Sequence, residues 1–391
     1  YRIPAPPMTP NSERVEIVRR LWKELQRRKE ELAHVIHSET GKPFAEIETM
    51  EFGTAQLIVK YYTANAHRIL QDQPAWRPWL MFNKRSYVKY VPRGVVGLVT
   101  PWNLPFMIPV GDTIAAWLAG NAVLLKPSEW TTRTALWVED AVRATGLLPE
   151  GLLSVATGDG SVGAKVVGEA DIVMFTGSTR SGRAVARAAA DRLKPCVLEL
   201  GGKHPMVVFA DAAIERAAKA AVWGAFANCG QLCVGVERVF VEAEVHDRFV
   251  EAVRREMAAL RQGLGGADVE LGRLIFPPQL DRIVAQLEDA RVKGARVIGG
   301  ELVDAENLMI SPALVLDATT EMHVMSEETF GPVLPIMKVD RGEEAIRRSN
   351  LGPFGLSASL WTRDLAKAER LSAGVEAGMK KAEAEALKKR I

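Results

Sequence analysis

At 391 residues the chain is too long for one small core, so two domains or one elaborated α/β unit are expected. Its 50 basic and 48 acidic side chains leave a formal net charge of only +2, with the two signs interspersed. That balance excludes an electrostatic case for nucleic acid or an anionic membrane as partner.

Three cysteines (Cys196, Cys229, Cys233) make no disulfide framework, no run of 18 apolar residues occurs, and Tyr1-Arg2-Ile3-Pro4 opens no signal peptide. A reducing, cytoplasmic setting is expected. The chain lacks an initiator Met and is read as a fragment or a processed form. Among six histidines only His34 and His37 share a ligand-like spacing, and they read as one helix face, so no metal is expected.

Taken in order, Asn11-Ser12 starts an amphipathic helix that runs through Ile36 to Gly41-Lys42-Pro43, and a second helix spans about 44–67. Residues 79–82 and 87–91 read as two strands around a polar turn, an aromatic hairpin that is either a protruding arm or an internal ribbon. From Gly94 the pattern is strand (95–100), helix (106–118, interrupted by Pro109), strand (122–125), helix (131–145) and strand (152–156). A short helix near 164–168, strand 171–175, helix 181–193 and strand 196–200 follow. Apolar strands alternating with helices predict a parallel sheet covered on both faces, with ligands at the carboxyl ends of its strands.

Those ends carry Thr100-Pro101-Trp102-Asn103-Leu104-Pro105, Lys126-Pro127-Ser128-Glu129, Thr176-Gly177-Ser178 and Glu199-Leu200-Gly201-Gly202-Lys203. The second half alternates less regularly: strand 206–209, a helix capped by Asp211, strand 238–241, helices 246–264 and 279–294, and strands 296–298 and 313–316. A helix near 343–349, strand 357–361 and a helix capped at 362–364 close it. Between the Asp211 helix and the next strand lies Asn228-Cys229-Gly230-Gln231-Leu232-Cys233. A thiol in a polar, Gly-containing turn can be exposed and lowered in pKa, as a nucleophile needs; the alternative is a pair of small buried hydrophobes.

These turns, with Gly230-Gln231-Leu232-Cys233 and Glu328-Thr329-Phe330-Gly331-Pro332, resemble in order and content the NAD(P)-dependent aldehyde dehydrogenase superfamily, over about 15–379. The resemblance implies a Rossmann-like parallel-sheet cofactor domain (1–75 and 93–200), an oligomerisation hairpin (76–92) and a second α/β catalytic domain (201–379). It implies that Cys233 attacks an aldehyde and that Asn103 and the Cys233 N–H hold the oxyanion. Glu199 then acts as general base for hydrolysis, with a raised pKa in a partly dry pocket. Gly177 and Ser178 are assigned to the cofactor pyrophosphate, Lys126 and Glu129 to the adenosine ribose, Glu328 to the nicotinamide ribose and Phe330 to the nicotinamide. Thr100, Pro101, Trp102, Ser128 and Gly201 complete the cofactor set. A carboxylate at 129 repels a 2′-phosphate, so NAD is expected over NADP.

The expected partner is an aldehyde, with oxidation to a carboxylic acid. A homodimer or homotetramer is implied but put in question, because the family's final strand gives way to a charged, helix-forming tail at 380–391. The alternative reading is a truncated, inactive homologue that binds nucleotide or a protein. CoA acylation is disfavoured by the presence of Glu199.

Overall fold

A computed structural model of the chain describes residues 10–265 and 268–383, which divide into two compact units. One holds the chain up to Glu39 and Ile47–Glu199; the other holds Thr40–Glu46 and the chain from Leu200 onward.

In the first unit, helix Asn11–Arg27 forms because Val18, Leu21, Trp22 and Leu25 recur on one face and are buried there. The expected continuous helix to residue 40 is broken at Arg28, and Lys29–Thr40 resumes it. Arg28 leaves helical geometry (φ −108°, ψ 17°), pairs with Glu31 and lies over the Trp137 ring at 4.6 Å. The second expected helix is also divided. Phe44–Glu46 leads into a π-helical turn, Ile47–Gly53, before Thr54–Leu70. The wide turn carries Glu51, buried, whose Oε2 accepts the Phe106 N–H (3.2 Å) and the Met107 N–H (2.8 Å). That carboxylate serves the first turn of helix Met107–Leu118. Pro109 does not interrupt this helix, because it sits in the first turn, where no intrahelical donor is missed.

The sheet of this unit has five parallel strands in the order Leu153–Val155, Ala122–Lys126, Val95–Val99, Ile172–Thr176, Cys196–Glu199. Numbered along the chain this is 3-2-1-4-5, the doubly wound order. Its direction reverses between Val95–Val99 and Ile172–Thr176, so a crevice is expected beyond their carboxyl ends.

The aromatic hairpin differs from its expected form. Trp79–Met81 is a 3-10 turn, and the strand partner of Tyr87–Val88 is Gln73–Pro74. Pro78 sets the start of that turn, and the Met81 and Phe82 N–H groups bond back to the Pro78 and Trp79 carbonyls. Trp76, Trp79 and Phe82 are each more than 75% exposed.

The second unit is built on a seven-stranded mixed sheet. Its order is Arg296–Gly299, Ala313–Leu316, Val333–Val339, Val236–Glu242, His204–Val208, Ser357–Trp361, Met379–Glu383, parallel except for the first pair. Strands Val236–Glu242 and Val333–Val339 are buried almost throughout, the first with Glu237 and Arg238 buried among its apolar residues.

Two expectations are corrected here. Asp211 does not cap helix Ile214–Phe226; its Oδ2 accepts the Thr362 hydroxyl (2.6 Å) and the Arg363 N–H (2.9 Å), tying two loops together. And the charged segment from Lys380 is not helical at its start. Met379–Glu383 pairs in parallel with Ser357–Trp361, whose open edge offers backbone partners that outweigh a helix preference of a few tenths of a kcal/mol per residue. Residues 384–391 of that expected tail lie outside the described residues. Among the described residues no helix is long and apolar enough to cross a membrane, and no cluster of His, Cys, Asp and Glu could hold a metal ion.

Candidate active site

The first unit gathers its predicted site residues at the carboxyl ends of the central strands. Thr100 follows Val95–Val99, and its N–H bonds to the Lys126 carbonyl at 3.1 Å. Its hydroxyl is buried and has no hydrogen-bond partner among the described residues. Such an orphan is costly unless a ligand or water satisfies it, which fits a nucleotide at this edge. Pro101 and Trp102 are half-buried, while Asn103 is only 3% exposed. The Asn103 turn is fixed from behind by Glu51 and by Phe106, which packs on Phe52 with ring centroids 5.3 Å apart.

After Ala122–Lys126 the chain turns through Ser128, whose hydroxyl caps the 3-10 turn Glu129–Thr131. Lys126 is almost buried and Glu129 half-exposed, and they pair at 3.1 Å. After Ile172–Thr176 comes Gly177, whose N–H bonds to the Glu199 carbonyl at 3.0 Å, and then Ser178, the N-cap of helix Thr179–Ala190. A Cβ at Gly177 would press on the Phe175 ring at 2.8 Å. A twelve-residue helix whose N-terminus is capped by a serine hydroxyl beside a glycine suits a pyrophosphate.

Glu199 ends its strand exposed rather than in a dry pocket. The carboxyl raised toward neutrality in this unit is Asp112, on helix Met107–Leu118, which burial and then the charge of Glu199 push up to about 7.

In the second unit the predicted residues lie before the strands, not after them. Gly201 to Lys203 precede His204–Val208; Asn228 to Gly235 precede Val236–Glu242; Glu328 to Pro332 precede Val333–Val339. The three segments touch. Glu328 packs against the Cα of Gly201, where a Cβ would lie 2.5 Å from its carboxylate, and Glu328 Oε1 accepts the Gly202 N–H at 2.8 Å. Burial, then the charge of Glu237, raise Glu328 to about 7, opposed by the Gly202 bond and Lys203. A Cβ at Gly202 would meet the Cys233 carbonyl at 2.7 Å, and one at Gly230 would collide with the Gly331 carbonyl.

The cysteine turn is held in an uncommon conformation. Asn228 (φ 53°) and Cys229 (φ 55°) both occupy the left-handed region, and Gly230 (φ 71°) follows. Gln231, fully buried, braces it: its Nε2 donates to the Asn228 carbonyl (2.8 Å) and its Oε1 accepts the Ile275 N–H (2.8 Å). The Asn228 N–H donates to Glu46 Oε1 at 2.6 Å, from the short segment Thr40–Glu46. Burial raises Glu46 to about 7, against that bond and Lys42.

The two cysteines separate clearly. Cys229 is buried, and burial, then the charge of Glu46, drive its thiol far above the ordinary value, so it is inert. Cys233 is half-buried beside buried Leu232 and exposed Val234. Phe330 is half-buried, in the left-handed region at φ 52°. The braces Glu46, Glu51, Gln231 and Glu237 were not singled out from sequence. For Glu237 a signal exists: an acid within the apolar strand Val236–Glu242 demands a partner.

The chain resembles known proteins over nearly its whole length. Residues 5–386 match the model of the aldehyde dehydrogenase family. The chain is 38% identical over 371 residues to 4,4'-diapolycopene aldehyde oxidase of Methylomonas, covering 94% of this chain and 69% of that protein. It is 35% identical over 373 residues to a putative succinate-semialdehyde dehydrogenase [NADP(+)] of Mycolicibacterium smegmatis, covering 94% and 72%. The crystal structure of Mycobacterium tuberculosis aldehyde dehydrogenase complexed with NAD+ superposes with a TM-score of 0.91 at 32% identity, covering 96% of this chain and 78% of that one. The chain belongs to the aldehyde dehydrogenase family.

Proposed function

We propose that the chain oxidises an aldehyde to its carboxylic acid with NAD, through Cys233. The observation that carries this reading is the contrast at the cysteine turn: Cys229 buried and inert, Cys233 half-buried in a turn whose backbone is tightly braced. The Cys233 thiolate attacks the carbonyl carbon; a C–S bond forms and the carbonyl π pair moves to oxygen. The Asn103 amide and the Cys233 N–H donate to that oxyanion. NAD, when bound, supplies the hydride acceptor that takes the thiohemiacetal to a thioester. Glu199 removes a proton from the water that attacks the thioester, and collapse of the adduct releases the acid and the Cys233 thiolate.

The residues of 1–75 and 93–200 hold the dinucleotide in this reading: Lys126 and Glu129 at the adenosine ribose, Gly177 and Ser178 at the pyrophosphate, with Thr100, Pro101, Trp102 and Ser128 alongside. From the catalytic part, 201–379, Glu328 and Gly201 serve the nicotinamide ribose and Phe330 the nicotinamide. Glu129 favours NAD over NADP by repelling a 2′-phosphate. The name of the M. smegmatis relative carries NADP, so the preference is worth measuring directly. The exposed aromatic segment at 76–92 supports assembly into a homodimer or homotetramer, and the near-neutral charge and three cysteines joined in no disulfide fit a cytoplasmic location.

The test is NADH formation with NAD and a panel of aldehydes, comparing the parent with Cys233→Ala and Cys229→Ala. Turnover lost with Cys233→Ala and retained with Cys229→Ala is expected. Parental turnover by Cys233→Ala, or a product that forms only with CoA, would sink the proposal.

A further inference from the structure

Glu237 lies beneath the loop assigned to the nicotinamide end of the cofactor, and nothing in the mechanism uses it. Its side chain is 7% exposed and faces Lys203, whose side chain is wholly buried, at 2.6 Å. Burial lowers the Lys203 pKa, and the Glu237 charge opposes that fall. One buried acid for one buried base satisfies the charge, but this carboxylate does more. Its Oε2 also accepts the Thr329 N–H at 2.8 Å, and its Oε1 accepts the Phe330 N–H at 2.8 Å. Two successive backbone N–H groups thus converge on one carboxylate, and the second of these residues, Phe330, adopts a left-handed φ of 52°. A phenylalanine in that region is strained and persists only where its surroundings hold it. Lys203 adds a second tie by donating to the Thr329 hydroxyl at 2.9 Å, and that hydroxyl donates to Gln286 at 2.7 Å.

We infer that Glu237, paired with Lys203, is a positioning residue for cofactor binding: it clamps the Thr329 and Phe330 amides and thereby sets the Glu328 carboxylate and the Phe330 ring toward the nicotinamide riboside. An aliphatic residue at 237 would leave the Lys203 ammonium buried without its anion and both amides without an acceptor. A glutamine keeps one acceptor and loses the charge.

The inference rests on the assignment of Glu328 and Phe330 to the cofactor, so its test carries a control for that assignment. NAD affinity is measured by calorimetry on the parent, Glu237→Gln, Lys203→Met/Glu237→Gln and Glu328→Ala, beside thermal melting and site-resolved alkylation of Cys233 by iodoacetamide without NAD. Glu237→Gln is expected to weaken NAD roughly tenfold, the scale of one charge-assisted hydrogen bond, while Cys233 alkylation stays near the parental rate. The neutral pair is expected to melt close to the parent, because no unpaired charge remains buried, yet to keep the weakened NAD affinity. A merely structural Glu237 would behave otherwise: the neutral pair would regain NAD affinity along with stability, and that overturns the inference. Parental NAD affinity in folded Glu237→Gln overturns it too. If Glu328→Ala weakens NAD in that case, the cofactor assignment survives alone. If Glu328→Ala binds NAD like the parent, the assignment and the inference fall together.

Discussion

The two units present their functional residues from opposite ends of their strands. In the first, Thr100, Lys126, Gly177 and Glu199 stand at or beyond carboxyl ends, where a doubly wound sheet opens a crevice at its switch point. In the second, Gly201, Cys233, Glu328 and Phe330 all stand before amino ends, opposite to the strand ends where such a crevice opens. The supports differ accordingly. The first unit relies on a strand-to-helix turn, a cap and one buried acid behind Asn103. The second holds two loops in left-handed conformations and packs the Gly201-Gly202 turn closely against them, all clamped by buried side chains. A general rule of sheet architecture organises one half of the machinery; individual hydrogen bonds organise the other.

That contrast can be broken by substitution, and the largest effect belongs to chemistry. Asn103→Ala is expected to lower kcat by ~10²–10³ with the fold intact, as removal of one oxyanion donor does. Parental kcat would remove Asn103 from that role. Next, Gly230→Ala and Gly177→Ala set the two kinds of support side by side. At Gly230 (φ 71°) the new methyl meets the Gly331 backbone, so Cys233 alkylation slows and melting falls by the equivalent of roughly 2–4 kcal/mol. At Gly177 the methyl meets only the end of the Phe175 ring, so a several-fold rise in the NAD Michaelis constant with little change in melting is expected. Equal melting of the two variants would contradict the division.

Smaller, and readable as a pH profile, is Glu46→Gln. Glu46 is raised from 4.5 to about 7, so the folded state holds its proton more tightly than the unfolded state. The stability this contributes is complete below pH 4.5 and is lost as pH rises through about 7, up to about 3 kcal/mol in all. Glutamine keeps the acceptor for the Asn228 N–H and cannot ionise, so the variant should gain on the parent across that window and melt higher at pH 8. Parallel melting profiles from pH 4 to 8 would refute it. The smallest effect is expected at Glu129→Gln, a few-fold gain in NADP use, because Lys126 already offsets part of the Glu129 charge. An unchanged ratio of NADP to NAD Michaelis constants, or equal constants in the parent, would count against Glu129 as the selector.

The sequence carried the first unit well, and the reason is local. Each of its strands is an apolar run ended by a Pro, Gly or polar turn, so periodicity and turn chemistry point the same way. The motif Glu199-Leu200-Gly201-Gly202-Lys203 reads as one strand end, and it divides: Glu199 closes the first sheet while Gly201 to Lys203 open the second. Distance along the chain hid the rest. Glu51 acts 55 residues from Phe106, and Glu237 acts 93 residues from Phe330, so neither leaves a short-range pattern. The strand Met379–Glu383 was illegible for another reason, since a Lys- and Ala-rich segment favours helix until a sheet edge claims its backbone.

The Glu46 bond to Asn228 also bears on how the chain is made. The two residues are 182 positions apart, and Glu46 belongs with the unit whose other residues leave the ribosome later. At about 5–20 residues per second, roughly 10–40 s separate the emergence of the carboxylate from that of its amide. Through that interval Glu46 waits without the Asn228 amide, and the charged Lys42 and Glu46 favour a hydrated segment over one collapsed onto the nascent neighbour. A charged, glycine-containing segment is suited to waiting in water. The same acid that costs the finished protein stability near neutral pH keeps an early segment open for a late one.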